Sequence, residues 1–279
     1  MADRGARRGR GGPTAWVTGA SAGIGRAFAR ELARRGWRLR LVARRRGRLE
    51  ELAAQLEAEH GVEARVEACD LTDPEALRRL EGRLTRDRRA ELLVNDAGMG
   101  DFGDFVASRR DVLDRMVRLN TLALVRLGHA AASGMARRGR GAIVNVSSSA
   151  AFQPGPRFAI YAATKAFVNS FSEALAFELR DHGVRVQALC PGLTHTEIFR
   201  RAGADTSALP GFLWMEPDAV VEESLASLER DAVVCVPGLG NRVLTSVSQM
   251  VPHEISERIA EQIMGRVETR PRGRGRRRH

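Results

Sequence analysis

Apolar positions in this chain follow two rhythms in turn. Short, nearly unbroken apolar runs stand at TAWVT (14–18), RLRLVA (38–43), EARVEAC (63–69), ELLVN (91–95), AIVNVS (142–147), VRVQALC (184–190) and AVVCV (232–236). Between most of them, apolar residues recur every three or four positions, over 24–35, 46–59, 74–88, 109–137 and 160–181. The short runs predict strands and the longer periodic stretches predict helices. A strand that is apolar on both faces has to be covered on both, and the intervening helices supply that cover. The alternation therefore predicts an α/β protein, with a doubly wound parallel sheet inside a three-layer α/β/α sandwich. No internal stretch is long or polar enough to be a linker, so residues 14–265 read as one domain. After the last predicted strand, 241–264 stays apolar on one side. Val243, Leu244, Val247, Met250 and Val251 precede Pro252, and Ile255, Ile259 and Ile263 follow at helical spacing. This C-terminal helical extension could close a cleft, form a subunit surface or lie on a membrane; packing on its own body is the simplest reading.

Charge changes the picture at the ends only. The chain has 279 residues and a net charge of +11. Residues 1–13 contribute +3 and residues 266–279 contribute +6, so the body between them is nearly neutral at about +2. Arg-Gly ends can attract RNA, DNA or an anionic membrane. Binding single-stranded nucleic acid would call for aromatic residues among the arginines, and neither end has one. Both ends read as disordered, solvated tails, and nucleic acid is not an expected partner. Cys69, Cys190 and Cys235 are odd in number, far apart and set among apolar residues, as core thiols of a reducing compartment are. They suggest no metal site. With no apolar segment after Arg7 and Arg8 and no run of 18 apolar residues, neither a signal peptide nor a membrane span is expected, and a cytoplasmic location is the simplest reading.

The first chemical signal is TGASAGIG at 18–25, between a predicted strand and a predicted helix. Gly19, Gly23 and Gly25 permit a tight turn, close approach of backbone to a phosphate, and close helix–strand packing. The helix start, through Ser21 and Ile24, offers N–H groups and partial positive charge to an anion. This places a Rossmann-like nucleotide site at the head of the sheet. At the end of the second strand, where such a site would show an acid to a ribose 2′-hydroxyl, the chain has Ala43-Arg44-Arg45-Arg46. No carboxylate repels a 2′-phosphate there, and the guanidinium groups of Arg44 and Arg45 suit one, so the expected cofactor is NADP(H).

The second signal is YAATK at 161–165, which holds the only tyrosine and the only lysine of the chain; the other 44 of its 45 Lys+Arg residues are Arg. On a helix, Tyr161 and Lys165 lie one turn apart on one face. A free phenol titrates at about 10, and a neighbouring ammonium is expected to lower that value toward useful proton exchange. Lysine brings a compact charge where arginine would bring a broad fork.

With these motifs together, the chain resembles the short-chain dehydrogenase/reductase family over residues 14 to about 240. The likeness rests on TGASAGIG at 18–25, CDLTD at 69–73, NDAG at 95–98, VSS at 146–148, YAATK at 161–165 and PG at 191–192. It implies an oxidoreductase that reduces a carbonyl to an alcohol, with Tyr161 as general acid. Lys165 would tune Tyr161 and hold the nicotinamide ribose, Ser148 would hydrogen-bond the reacting oxygen, and Asn120 would organise a proton path to the lysine. For the cofactor it implies Asp70 and Leu71 at the adenine, Asn95, Ala97 and Gly98 at the ribose, and Pro191, Gly192 and Thr196 on the nicotinamide side. The family usually has Asn where this chain has Asp96, which introduces a carboxylate where an amide is expected. The resemblance also implies a homodimer or homotetramer.

Residues 193–215 stand where a substrate lid is expected, and they hold Ile198, Phe199, Leu209, Phe212, Leu213, Trp214 and Met215. Phe102, Phe105, Phe152 and Phe158 fall in loops expected around the same cleft. That concentration favours an apolar carbonyl or alcohol as the small-molecule substrate. Two rival readings are a nicotinamide-binding sensor that has lost its chemistry and a nucleic-acid binder acting through its tails.

Overall fold

The computed structural model describes residues 12–207, 209–250 and 268–269. The first tail apart from Gly12 and Pro13, the apolar stretch 251–264, and all but two residues of the last tail lie outside the described residues. The strands are β1 (Thr14–Thr18), β2 (Arg38–Ala43), β3 (Ala64–Ala68), β4 (Ala90–Asn95), β5 (Gly141–Val146), β6 (Val184–Leu189), β7 (Ala204–Asp205), β8 (Val234–Cys235) and β9 (Glu268–Thr269). Among the described residues seven of them form one parallel sheet, ordered β3-β2-β1-β4-β5-β6-β8. The helices are α1 (Gly23–Arg34), α2 (Arg46–His60), α3 (Pro74–Arg86), α4 (Arg110–Val117), α5 (Leu124–Arg137), α6 (Ala159–Leu179), α7 (Ile198–Arg201), α8 (Pro217–Glu229) and α9 (Leu239–Met250). The sheet order reverses between β1 and β4, and a crevice opens there beyond the carboxyl ends of the strands, which is where open α/β sheets bind ligands.

The two-sided core follows from strand alternation. On β1, Ala15 and Val17 join Phe28 and Leu32 of α1 and Leu49 of α2 in one apolar cluster. Trp16 between them points the other way and joins Leu77, Leu80 and Leu84 of α3 and Leu127 of α5. Leu49 and Leu80 are wholly buried, so truncating either to Ala would cost about 2–5 kcal/mol. Local signals set the boundaries: Asp73 caps α3 by accepting from the N–H groups of Glu75 and Ala76, both at 2.9 Å, and Pro74 opens the helix.

Two elements depart from the sequence pattern. The helix expected over 109–137 is interrupted by a wider π turn at Arg118–Ala123 between α4 and α5. The extra residue turns Asn120 inward, where it is 1% exposed. Helix α8 was not marked by the apolar rhythm, because its buried side mixes Val220, Val221, Leu225 and Leu228 with Ser224 and Ser227. The Ser224 hydroxyl donates to Gln187 Oε1 of β6 at 2.7 Å, so a polar residue does there what an apolar one would do elsewhere. The expected lid, 193–215, is pinched at its neck: His195 N donates to Met215 O at 3.0 Å and Met215 N to Leu193 O at 2.9 Å. It carries α7 and β7, and β7 pairs antiparallel with β9, strands too short to leave a period-2 pattern. Among the described residues no helix is long and apolar enough to cross a membrane.

Candidate active site

Beyond the ends of β1, β4, β5 and β6 lies a cleft of about 660 Å³. Its floor is built by the start of α6. Tyr161 and Lys165 sit one helical turn apart, with Lys165 Nζ 5.7 Å from the centre of the Tyr161 ring. Of the three neighbouring serines, Ser148 is the one whose hydroxyl hydrogen-bonds the Tyr161 phenol. Ser147 is buried and donates to Lys165 O at 3.0 Å, which fixes the helix against β5.

The electrostatics differ from the expectation for a tyrosine–lysine pair. The Tyr161 phenol is pushed up to about 12, chiefly because burial disfavours the phenolate; the Ser148 hydrogen bond works against this, and the Asp96 carboxylate adds to it. Lys165 does not lower the phenol here, because its ammonium is turned to Val146 O, to which it donates at 2.7 Å. Burial also pulls Lys165 itself down to about 8, against the opposing pull of Asp96.

Asp96, the departure in NDAG, has a definite place. Its Oδ2 accepts the N–H of Gly25 at the start of α1 at 2.9 Å, and its own N–H donates to Thr18 Oγ1 at 3.0 Å. Burial pushes its carboxyl up to about 7, although Lys165 and the Gly25 N–H favour the charge. The fit is close: a Cβ on Gly19 or on Gly25 would come within 2.6 Å of Asp96 Oδ2. The carboxylate thus ties the loop after β4 to the start of α1, and the Thr18 hydroxyl ties it to β1.

Most of the expected cofactor residues line the cleft: Gly19, Ser21, Gly23, Ile24, Arg44, Arg45, Asp70, Leu71, Ala97, Gly98, Pro191, Gly192 and Thr196. Two expected cofactor residues and one expected catalytic residue do not line it. Gly25 lies behind the glycine turn, with its N–H committed to Asp96. Asn95 is buried beneath the cleft, its amide donating to Asn145 Oδ1 at 3.0 Å and thereby joining β4 to β5. Asn120 lies behind the loop: its Oδ1 accepts from Met99 N at 3.0 Å, and its Nδ2 donates to Met99 O at 2.9 Å and to Thr164 Oγ1 at 3.1 Å. Asn120 thus ties the loop at Met99 to α6 at Thr164, the residue before Lys165.

The residues present fit a dinucleotide. Helix α1 opens at Ala22 without a capping side chain, which leaves its N-terminus to an anion. Gly23, with φ of +56°, has Thr196 Cγ2 only 3.0 Å from where a Cβ would stand, so both the turn and its packing call for glycine there. Arg45 is held toward this turn, donating to Ser21 Oγ at 2.8 Å, while Arg44 is exposed at the rim.

The far wall is aromatic. Phe102 packs against Phe158, Phe199 and Tyr161 with ring centres 5.6, 5.8 and 6.3 Å apart. Ile198, Leu209 and Leu213 of the lid and Leu244 and Val247 of α9 complete it. Phe105, expected at the cleft, is instead 60% exposed outside it, and Phe152 does not line it; Trp214 stacks behind on His195 at 4.8 Å. The sequence did not single out Met99, Gln153 and Glu197. Glu197 alone left a trace, as an acid one helical turn before Arg200 and Arg201.

This arrangement belongs to a recognisable class. The profile of the family described as short chain dehydrogenase matches residues 13–207. The chain belongs to that family and is an oxidoreductase acting on C=O and CH–OH groups. It is 38% identical to a short-chain dehydrogenase from Sphingobium yanoikuyae solved in complex with NADPH, with a TM-score of 0.79 over 95% of this chain and 100% of that one. It is 36% identical to the bulky-bulky ketone specific alcohol dehydrogenase from Comamonas testosteroni, with a TM-score of 0.74 over 95% and 98% of the two chains. It is also 30% identical to the very-long-chain 3-oxoacyl-CoA reductase of Anas platyrhynchos over 81% of this chain and 72% of that protein. The match to the Macaca fascicularis reductase, 32% identical over 67% of this chain, spans only 61% of that protein.

Proposed function

We propose that this chain is an NADPH-dependent reductase of ketones flanked by bulky apolar groups, acyl-type carbonyls included. The observation that carries the reading is the meeting of Ser148, Tyr161 and Lys165 on the floor of a cleft walled by Phe102, Phe158 and Phe199. Bound NADPH would supply the hydride to the carbonyl carbon. Everything else falls to the chain. The Ser148 hydroxyl holds the carbonyl oxygen beside the phenol. Tyr161, with its phenol pushed up to about 12, stays protonated at neutral pH and gives its proton to that oxygen as negative charge grows there. The alkoxide is the stronger base, so the transfer runs toward alcohol. Lys165, at about 8, stands one turn away with its ammonium on Val146 O, where it would meet the nicotinamide ribose. Arg44 and Arg45 would meet the 2′-phosphate, and Gly19, Ser21, Gly23 and Ile24 the pyrophosphate. The aromatic wall and α9 favour bulky apolar groups on both sides of the carbonyl, and the Comamonas relative is specific for bulky-bulky ketones.

In the same reading the catalytic domain spans residues 14–265, and the protein works in the cytoplasm, where three buried, unpaired thiols are at home. Val117, Leu122, Phe167 and Phe177 stand exposed along α4, the π turn and α6, an apolar face that a second copy would cover. Sedimentation of the purified chain tests that assembly.

The decisive experiment is a fluorescence titration with NADPH and NADH, followed by turnover of a panel of apolar ketones. The expected result is at least tenfold tighter binding of NADPH, with turnover that rises with the bulk of both substituents. Binding of neither cofactor would overturn the reading. Tyr161→Phe should lower kcat by about 10²–10⁴-fold and leave NADPH affinity unchanged; equal loss of both would remove Tyr161 from the proton transfer.

A further inference from the structure

One carboxylate at the mouth of the cleft is surrounded by guanidinium groups from two different parts of the chain. Glu197 Oε1 accepts from Arg48 at 3.2 Å and from Arg200 at 3.2 Å. Its Oε2 accepts from Arg45 at 3.3 Å and from Arg201. Arg45 and Arg48 stand at the start of α2; Arg200 and Arg201 lie in α7, the four-residue helix of the lid. Arg45 at the same time donates to Ser21 Oγ of the glycine turn. The nearby Arg44 is exposed, and Arg46 is taken by Glu50. A single side chain therefore joins the glycine turn, the start of α2 and the lid.

The other side of α7 faces the cleft. Ile198 and Phe199 line the cleft, and Phe199 packs on Phe102 at 5.8 Å and edge-on to Trp214 at 5.5 Å. Phe102 in turn packs on Tyr161. Glu197 thus directly precedes the two side chains, Ile198 and Phe199, that α7 gives to the apolar wall.

We propose that Glu197 is a specificity-determining and positioning residue. It ties the lid to the arginines that would receive the 2′-phosphate of NADPH, so that phosphate and lid compete for the same guanidinium groups. This rests on the NADPH reading above. A phosphate monoester carries about −1.5 to −2 charges at neutral pH and offers three acceptor oxygens. Set beside Arg44 and Arg45 it outcompetes a carboxylate and repels it. Glu197 then keeps Arg200 and Arg201 of its own helix and gives up Arg45 and Arg48. NADH has no such group and leaves the tie closed. The chain thus discriminates between the cofactors at the lid as well as at the phosphate.

The test is Glu197→Gln, which keeps the size and an acceptor oxygen but removes the charge. Titrated at low salt, the full-length variant is expected to bind NADPH about tenfold tighter than the wild type, with NADH affinity within twofold. The gain should shrink at high salt, since the rim is open to solvent. Backbone amide exchange across 197–203 gives a second readout. In the wild type, NADPH should speed it and NADH should not, while the variant should exchange fast with either. Unchanged or weaker NADPH binding by the variant, or an equal shift for both cofactors, overturns the tie and leaves the NADPH reading standing. A wild type that binds NADPH and NADH alike removes both.

Discussion

The floor and the rim of the cleft handle charge in opposite ways. On the floor, Asn95, Asp96, Asn120, Asn145, Ser147 and Lys165 are polar groups set under or among apolar ones. Each has named partners, and the one cation is a lysine 5% exposed. At the rim, five arginines stand near one glutamate, in contact with water. In the buried setting desolvation governs: it pushes Asp96 up to about 7 and pulls Lys165 down to about 8. At the rim many charges are shared and screened, and the same arginines can change partners at small cost. Chemistry needs the first arrangement, because a proton has to be in one place. Recognition of a detachable phosphate needs the second.

The comparison breaks most sharply at Lys165. At the rim an Arg would replace a Lys with little loss. On the floor the ammonium occupies a closed slot against Val146 O, and the planar fork of Arg does not fit it. Lys165→Arg is expected to lower kcat by roughly 10²-fold or more in steady-state assays. Retention of more than half the activity would make the floor no different from the rim.

Asp96 sharpens the contrast through pH. An unfolded Asp titrates at about 3.9, and the folded one at about 7. Between those values the folded chain holds a proton that the unfolded chain lacks. The contribution of this group to stability is therefore full below about pH 4 and is lost as pH rises to about 7. Lys165 acts in the other direction. It is held at about 8 against an unfolded value near 10.4, so its contribution recovers as pH rises from about 8 to about 10. Together they place a trough near pH 7–8. Asp96→Asn keeps an acceptor for Gly25 N–H and removes the first limb. Relative to the wild type it should gain about 1–2 kcal/mol between pH 5 and pH 8 in urea titrations. Parallel curves for the two proteins would show that the carboxylate carries no such penalty.

The smallest effect belongs to the exposed arginines. Arg46 reaches Glu50 at 3.5 Å with both side chains more than half exposed. Arg46→Ala should change unfolding free energy by no more than about 0.5 kcal/mol. A larger loss would mean that the rim is held as tightly as the floor.

Much of this was legible along the chain. The alternation of apolar runs and periodic stretches marks β1 to β6 and their helices, because each strand must bury both faces and its neighbours must cover them. TGASAGIG and YAATK mark the two ends of the cleft, because a phosphate needs bare backbone and a Tyr and a Lys four residues apart on a helix share one face. The single lysine among 45 basic residues marks the floor. What the sequence could not decide is where each marked side chain points. Asn95, Asn120 and Gly25 belong to the marked motifs, yet they lie behind the cleft because cross-strand pairing, a π turn and the bond to Asp96 direct them there. The direction of the Tyr161 shift was also hidden, because desolvation depends on what surrounds a group from far along the chain. Glu197 meets Arg45 across 152 positions, and no local pattern announces such a contact. Chemistry by residue type and rhythm is written locally; burial, aim and exchange of partners exist only once distant segments are packed together.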